Sequence, residues 1–213
     1  SLLNSNSQEF ELVHINDLAP GNTLAHLAQY DSTLGPAKEE MSFDNNKLYT
    51  SSFRPITHSQ IASPKDIPWN KSHVDIVFEC TGLFSKREKA EEHLKAGAPK
   101  VLISAPGTDE DLTVVCGVND HQLKKDHKID SNASCTTNCL APLAQTLHNN
   151  FEIISGLMTT VHAYTNDQVI LDASHKDLRR ARTAGVNMIT ARDTVGAAGG
   201  GRAALAAGGM FPA

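Results

Sequence analysis

The sequence predicts an α/β fold built on a parallel sheet. Apolar runs of strand length alternate with segments of helical pattern along residues 10–151. Each apolar run ends in small or polar residues, which is typical of the buried strands of such a sheet. Ligands of parallel α/β sheets bind beyond the carboxyl ends of the strands, so the residues at those ends are the first candidates for a binding site.

The predicted elements follow one another as expected for repeated strand–helix units. Ser85 is the expected N-cap of the second helix, and Gly97 is expected to end that helix. Ser134 is the expected N-cap of the third helix. The predicted strands span residues 10–17, 73–80, 100–104 and 112–116, and the predicted helices span 22–30, 86–96 and 135–151.

Four residues lie at the carboxyl ends of the predicted strands and are candidates for cofactor binding: Asp17, Thr81, Gly82 and Ser104. An acidic residue at a strand end accepts the adenine-ribose hydroxyls in folds that select NAD, and Asp17 fits that role. A surface turn is the alternative explanation for Asp17. The other three residues are also common in ordinary turns between a strand and a helix.

Cys135 is the candidate nucleophile because it falls in the first turn of the third predicted helix. There the unpaired backbone N–H groups and the helix dipole favour a thiolate over a thiol. The alternative is a buried cysteine that only fills a core. Cys139 lies on nearly the same helix face, and we expect it to pack structurally rather than to form a dithiol or a metal pair with Cys135.

His162 is the candidate general base because it ends the apolar run at residues 153–161 and can return an imidazole to the Cys135 sulfur. A satisfied histidine at a strand end is the alternative. Asp130 is unusual, since it stands in the strand-like run that leads to Ser134, where an apolar residue is expected.

Three segments resemble the phosphorylating glyceraldehyde-3-phosphate dehydrogenase family. Residues 131–142 (SNASCTTNCLAP) are very similar to the active-site segment of that family, and residues 156–168 (GLMTTVHAYTNDQ) resemble its general-base strand. Residues 175–182 (HKDLRRAR) resemble the loop that reaches toward the cofactor of a neighbouring subunit. The resemblance runs from about residue 10 to residue 189.

The resemblance implies NAD-dependent phosphorylating oxidation of D-glyceraldehyde 3-phosphate in glycolysis, with Cys135 as nucleophile and His162 as base. It further implies inorganic phosphate as co-substrate, a homotetramer and a cytoplasmic location. Ala173 and Ser174 resemble the loop of members that tolerate NADP, although Asp17 would repel its 2′-phosphate. By the same resemblance, the phosphate groups would contact the hydroxyls of Ser134, Thr136 and Thr165, with Asp167 as an orienting group.

The ends of the chain depart from the family pattern. No Gly-rich turn precedes Asp17, and the G-x-G-x-x-A match at residues 199–204 follows no strand and is attributed to chance in a Gly/Ala-rich stretch. We therefore expect the chain to begin inside the first crossover helix. The predicted domains are an N-terminally truncated NAD-binding domain at residues 1–134, the start of an α+β catalytic domain at 135–189, and an aberrant tail at 190–213.

Composition narrows the function classes. The formal net charge of −5, with no basic stripe, argues against nucleic acid as a partner, and no apolar run is long enough to cross a bilayer. Four cysteines without a CxxC pair favour a reducing compartment and predict no metal site. Three alternatives stay open: an inactive remnant or interaction fragment of such a dehydrogenase, a relative of erythrose-4-phosphate dehydrogenase, and a Cys-His hydrolase.

Overall fold

Parallel strands joined through helices form the first part of the chain in the structure, a computed structural model that describes residues 9–51 and 53–189. The helices are α1 (Gly21–Gln29), α2 (Trp69–Ser72), α3 (Arg87–Lys95) and α4 (Cys135–Phe151), with short 3-10 turns at Pro64–Asp66 and Asp120–Gln122. The strands are β1 (His14–Asn16), β2 (Tyr30–Asp31), β3 (Gly35–Pro36), β4 (Ser42–Asp44), β5 (Lys47–Tyr49), β6 (Ile56–Ser59), β7 (Val77–Glu79), β8 (Val101–Ile103), β9 (Leu112–Thr113) and β10 (Ile129–Ser131).

The chain divides into two structural units. Within the described residues, the first unit contains everything up to residue 112 together with 124–131, and the second contains 113–123 and everything from 132 onward. The candidate cofactor residues therefore belong to the first unit. Cys135 and His162 belong to the second.

Two four-stranded sheets carry the strands of the α/β core. One has the order β1-β6-β5-β4, with β1 and β6 parallel, and the other has the order β7-β8-β10-β9, with β8 parallel to both β7 and β10. Ala90 of α3 packs on Val101, Ile103 and Ile129, none of which is exposed to solvent. Burying such side chains contributes about 1.5–3 kcal/mol each. The predicted parallel α/β fold is confirmed.

The antiparallel part of the first sheet was not predicted. Strands β4 and β5 form a hairpin in which Asp44 pairs with Lys47, and the two residues between them have positive φ angles of 48° at Asn45 and 57° at Asn46. This is the pattern of a tight hairpin turn, which asparagine tolerates better than most residues. The Asn-Asn pair is the sequence signal that marks this turn.

Helix α3 begins later than predicted, so the expected N-cap role of Ser85 is wrong. The helix starts at Arg87 after Lys86, which offers no side-chain cap. The chain before it is held by backbone hydrogen bonds with Thr108, which donates to the Ser85 carbonyl and accepts from the Arg87 N–H. Backbone pairing therefore replaces the side-chain cap. Gly97 ends the helical segment with a φ of 101°, as predicted.

Asp130 is buried in β10 and has charged neighbours. Its carboxylate lies 3.5 Å from Lys100 Nζ and 3.2 Å from His127 Nδ1, although the His127 contact is not aligned as a hydrogen bond. A buried carboxylate needs such partners to offset its desolvation. The polar residue in this strand is thus accounted for by the ion pair with Lys100.

Within residues 9–51 and 53–189, no helix combines the length and the apolar character needed to span a membrane. The predicted tail at residues 190–213 lies outside the described residues, as does the end of the crossover helix expected at residues 1–5.

Asp111 links α3 to β10, because its carboxylate bonds to Arg87 of α3 and to the backbone N–H groups of Lys128 and Ile129. Burial opposes ionisation of Asp111, but the N–H groups of Ile129 and Lys128 and the Arg87 guanidinium outweigh that cost and lower its pKa from 3.8 to about 2. A carboxyl with a depressed folded-state pKa stabilises the fold above its unfolded pKa, and this contribution is lost as the pH falls toward the folded value.

We therefore expect Asp111→Asn to lower the free energy of unfolding by on the order of 1 kcal/mol at neutral pH, because solvent screens part of the interaction between Asp111 and Arg87. The difference from the wild type should shrink between about pH 4 and pH 2. Urea unfolding across that range measures it, with the exposed Asp126→Asn as a matched control. A difference that does not change with pH would contradict the assignment.

Candidate active site

The sequence folds so that Cys135 is the first residue of α4. The Ser134 hydroxyl accepts a hydrogen bond from the Thr137 N–H at 3.0 Å, so the predicted N-cap is confirmed. Ala133, one residue earlier, is buried with a φ of 58°, which is unusual for a residue other than glycine. This turn aligns the chain so that the Cys135 side chain is exposed at the positive end of the helix dipole.

His162 lies beside that sulfur. Its Nε2 atom is 3.2 Å from Cys135 Sγ, and its Nδ1 atom contacts the carbonyl oxygen of Ala163. A carbonyl accepts only, so Nδ1 carries a proton and donates it there. Nε2 is then the atom that can accept the thiol proton, which is the geometry required of a general base.

The surroundings of Cys135 favour its ionised form. The hydrogen bond with His162 is the largest influence and lowers the pKa of the thiol. Burial opposes this, while the hydroxyl and backbone N–H of Thr136 add to the lowering. A lowered pKa places more of the sulfur in the nucleophilic thiolate form at neutral pH.

The segment that carries His162 differs from the strand expected of it. Residues 152–164 form neither helix nor strand, and Ile154, Leu157 and Val161 are almost fully exposed. A strand needs a neighbour to pair its backbone groups, and none of the described residues provides one here. The hydrogen bonds of His162 with Cys135 and Ala163 therefore contribute to its position.

The three hydroxyl side chains expected to contact phosphate groups differ in how accessible they are to a ligand. Ser134 is buried, and its hydroxyl is engaged with the backbone and hydroxyl of Thr137. Thr136 is buried as well. Thr165 is exposed, with its backbone N–H donating to Gln168. Thr165 thus has the most accessible hydroxyl of the three.

Asp167 is part of an exposed ion-pair cluster. Its carboxylate bonds to Arg180 and lies 3.4 Å from His175 Nε2. Arg180 also lies 3.9 Å from the Asp177 carboxylate, which bonds in turn to Arg179. The cluster folds residues 167–180 into a local loop in which Asp167 orients arginine and histidine side chains.

Asp17 follows β1 in a position that fits a ribose-binding acid. Its Oδ1 atom accepts the Ala19 N–H at 2.8 Å, and the side chain is exposed. The preceding Asn16 holds the neighbouring loop through two hydrogen bonds with the backbone of Ile61. The Asp17 carboxylate therefore follows a strand end that is held by the hydrogen bonds of Asn16, and its remaining lone pairs can accept hydrogen bonds from ribose hydroxyls.

Thr81, Gly82 and Ser104 stand at the carboxyl ends of the parallel pair β7 and β8. Gly82 has a φ of 73° and no atom within 4 Å of where a Cβ would lie, so a ligand can approach its backbone closely. Thr81 and Ser104 are exposed, and both bond to Glu79, which was not among the predicted site residues. An acidic residue inside the apolar run VDIVFEC was the available signal.

No group of three or more histidine, cysteine or acidic side chains among the described residues could hold a metal ion. Cys139 is exposed, so its expected packing role is wrong. The reason is that its face of α4 is not covered, as the exposure of Leu143 one turn later also shows.

Comparison with known proteins agrees with the geometry of both units. Residues 2–87 match the family model of the glyceraldehyde 3-phosphate dehydrogenase NAD binding domain, and residues 134–204 match the C-terminal domain of the same family. The chain belongs to the glyceraldehyde-3-phosphate dehydrogenase family. These matches extend beyond residues 10–189, where the resemblance was expected to stop.

Individual members of the family are similar over most of the chain. It is 52% identical over 191 residues to the glyceraldehyde-3-phosphate dehydrogenase of Geobacillus stearothermophilus, covering 89% of the chain and 56% of that relative. It is 54% identical over 182 residues to that of Pseudomonas aeruginosa, covering 85% and 54%. It is 50% identical over 190 residues to that of Thermotoga maritima, covering 89% and 56%. The chain spans about half the length of the curated relatives it matches.

The contact between Cys135 and His162 predicts the pH dependence of alkylation. His162→Gln should raise the pKa of the Cys135 thiol and slow its reaction with iodoacetamide at neutral pH by about ten-fold, because the thiolate is the reactive form. Mass spectrometry of the peptide containing Cys135 measures the rate as a function of pH.

The exposed Cys80 provides the internal reference, because it is alkylated in the same sample and lies far from His162 in the sequence. Equal midpoints of the Cys135 profile in the wild type and His162→Gln would contradict the influence of His162 on the thiol.

Proposed function

We propose that this chain carries the reaction centre of an NAD-dependent, phosphorylating glyceraldehyde-3-phosphate dehydrogenase of glycolysis. The observation that carries the proposal is the exposed Cys135 sulfur at the start of α4, 3.2 Å from His162 Nε2. A nucleophile and a base within hydrogen-bond reach are the minimal requirement for covalent catalysis on an aldehyde.

In the proposed mechanism, Cys135 and His162 divide the chemistry between them. The Cys135 thiolate attacks the aldehyde carbon of D-glyceraldehyde 3-phosphate and forms a C–S bond. His162 Nε2, which takes the thiol proton, would give it to the resulting oxyanion and accept it again as the carbon loses a hydride to the bound cofactor and becomes a thioester. Inorganic phosphate attacks the thioester carbon, the C–S bond breaks, and 1,3-bisphosphoglycerate and the thiolate are released.

NAD is the proposed cofactor, and when bound it supplies the hydride acceptor for this oxidation. Asp17 would hold the adenine ribose, because its carboxylate is exposed with acceptor sites available. Thr81, Gly82 and Ser104 would hold other parts of the dinucleotide at the ends of β7 and β8. The Asp17 charge disfavours NADP, whose 2′-phosphate would approach a carboxylate.

The phosphate groups of substrate and co-substrate are proposed to contact Thr165, together with Ser134 and Thr136 at the start of α4. The N-terminus of a helix favours anions because its backbone N–H groups and dipole point toward them. Asp167 would act through Arg180, because its carboxylate bonds to the Arg180 guanidinium and orients that cation.

The wider organisation is proposed on the same grounds. Residues 1–134 would form the NAD-binding domain and residues 135–189 the start of the catalytic domain. A homotetrameric assembly and a cytoplasmic location follow from the family resemblance. An inactive remnant that serves as an interaction fragment is the second candidate, favoured by the exposure of Ile154, Leu157 and Val161.

We expect the chain to bind NAD saturably and to form NADH when D-glyceraldehyde 3-phosphate and inorganic phosphate are both present. Cys135→Ser should abolish the reaction, since the hydroxyl is not ionised at neutral pH. His162→Asn should lower kcat by about 10²–10⁴-fold, because the general base is lost. Spectrophotometry of NADH formation measures both.

Isothermal titration with NAD separates the candidates. An inactive remnant would show no saturable binding, whereas Cys135→Ser should bind NAD as the wild type does, because the substitution leaves the proposed cofactor residues intact. Turnover by Cys135→Ser at the wild-type rate would overturn the proposed mechanism.

A further inference from the structure

Glu79, the last residue of β7, is a buried carboxylate whose bonds converge on the predicted cofactor turn. It is 3% exposed. One carboxylate oxygen accepts both the backbone N–H of Thr81, at 2.7 Å, and the Thr81 hydroxyl. The other oxygen lies 3.0 Å from Nε2 of the buried His93 on α3.

The orientation of His93 is fixed by Trp69. The indole Nε1–H donates to His93 Nδ1 at 3.1 Å, and an indole nitrogen can only donate. His93 Nδ1 must therefore accept, which leaves the imidazole proton on Nε2, where it donates to Glu79. The chain of bonds from Trp69 through His93 to Glu79 has one consistent direction.

The backbone of Glu79 reaches the second predicted cofactor strand. Its carbonyl oxygen accepts the Ser104 N–H at 3.0 Å, so the residue contacts Thr81 through its side chain and Ser104 through its main chain. Gly82 follows Thr81 directly, with a φ of 73°. Three of the four predicted cofactor residues thus depend on the position of Glu79.

A buried carboxylate is costly, and its retention calls for a role. Burial is the strongest influence on Glu79 and opposes ionisation, yet the hydrogen bonds from His93 and Thr81 together outweigh it and lower the pKa of this carboxyl. Glu79 is therefore an ionised acceptor at neutral pH. An ionised carboxylate holds its donors more tightly than a neutral group does.

We propose that Glu79, oriented by His93 and Trp69, is a positioning residue that holds the Thr81-Gly82 turn in the conformation that accepts the dinucleotide cofactor. The inference rests on the proposed function, because it assigns a means of holding the site to which NAD is expected to bind.

The proposal also defines what Thr81 offers to a ligand. Its hydroxyl donates a hydrogen bond to Glu79, and one lone pair of the hydroxyl oxygen accepts the Leu83 N–H at 3.1 Å. Only an acceptor lone pair is left. Thr81 then suits a ligand group that donates, such as a ribose hydroxyl or a carboxamide N–H, rather than a phosphate oxygen.

Glu79→Gln tests the proposal with the smallest change of shape. The new amide nitrogen, itself a donor, must face either the Nε2–H of His93 or the backbone N–H of Thr81. Neither can become an acceptor, because Trp69 fixes the proton of His93 on Nε2 and a backbone N–H only donates. We expect the Kd for NAD to rise about ten-fold and hydrogen exchange of the Thr81 amide to accelerate about ten-fold, since a charged hydrogen bond is lost. Glu88→Gln, an exposed glutamate of α3, is the matched control and should change neither.

A pair of variants at His93 separates positioning from general stability. His93→Gln supplies one amide donor for Glu79 and one acceptor for Trp69, so its Kd for NAD should stay within about two-fold of the wild type. His93→Leu supplies neither and should weaken NAD binding about as much as Glu79→Gln does. A purely structural role would lower the unfolding temperature of these variants while leaving the Kd of the folded protein unchanged.

Unchanged Kd and unchanged Thr81 exchange in folded Glu79→Gln would overturn the inference, and so would equal effects of His93→Gln and His93→Leu. If the wild-type chain binds no NAD, the proposed function fails. The exchange rate of the Thr81 amide, which needs no cofactor, then decides whether Glu79 holds the turn.

Discussion

The hydrogen bond from the Thr137 N–H to the Ser134 hydroxyl fixes where α4 begins, and the reactive character of the chain depends on that point. A cysteine one residue earlier in the chain would lie outside the helix. A cysteine one turn later would be too far from the helix end to benefit from the dipole and the unpaired N–H groups there. The turn is costly, since Ala133 adopts a φ of 58° where a Cβ is disfavoured by about 1 kcal/mol or more. Strain of this kind is concentrated at functional sites, where the surrounding structure enforces it.

The two partners of the candidate reaction centre are supported very differently. Cys135 stands on a 17-residue helix with Ala141 and Ala144 buried on its inner face, whereas His162 stands on a segment that forms neither helix nor strand. The helix end therefore supplies a durable preference for the thiolate. The imidazole is held by its contacts with Cys135 and Ala163, both exposed, where solvent competes for the same hydrogen bonds. The helix N-terminus and the His162 imidazole both favour the thiolate, and of the two only the helix is positioned by packed secondary structure.

Local signals made much of the fold predictable from the sequence. The start of α4 follows from the Ser134 cap and agrees with the structure, because side-chain capping is a local interaction. Ser85 failed as a cap for a non-local reason: Thr108, distant in sequence, pairs with the backbone there. The same limit explains Glu79, whose partners Trp69 and His93 come from elements well separated along the chain. Sequence patterns indicated the candidate site residues. The hydrogen bonds that hold these residues could not be predicted, because they join elements that are distant along the chain.

The two buried carboxylates of the first unit show why Glu79 rather than Asp130 supports a functional inference. Asp130 faces Lys100, whose side chain is 28% exposed, and its second neighbour His127 is not aligned for a hydrogen bond. Such a pair compensates a buried charge and directs nothing further. Glu79 has directed donors on both oxygens, and two of them belong to one exposed residue, Thr81. A charge that only needed compensation would be served as well by buried donors. Because its bonds end at an open turn, the burial of Glu79 is coupled to the shape of a surface that a ligand can reach.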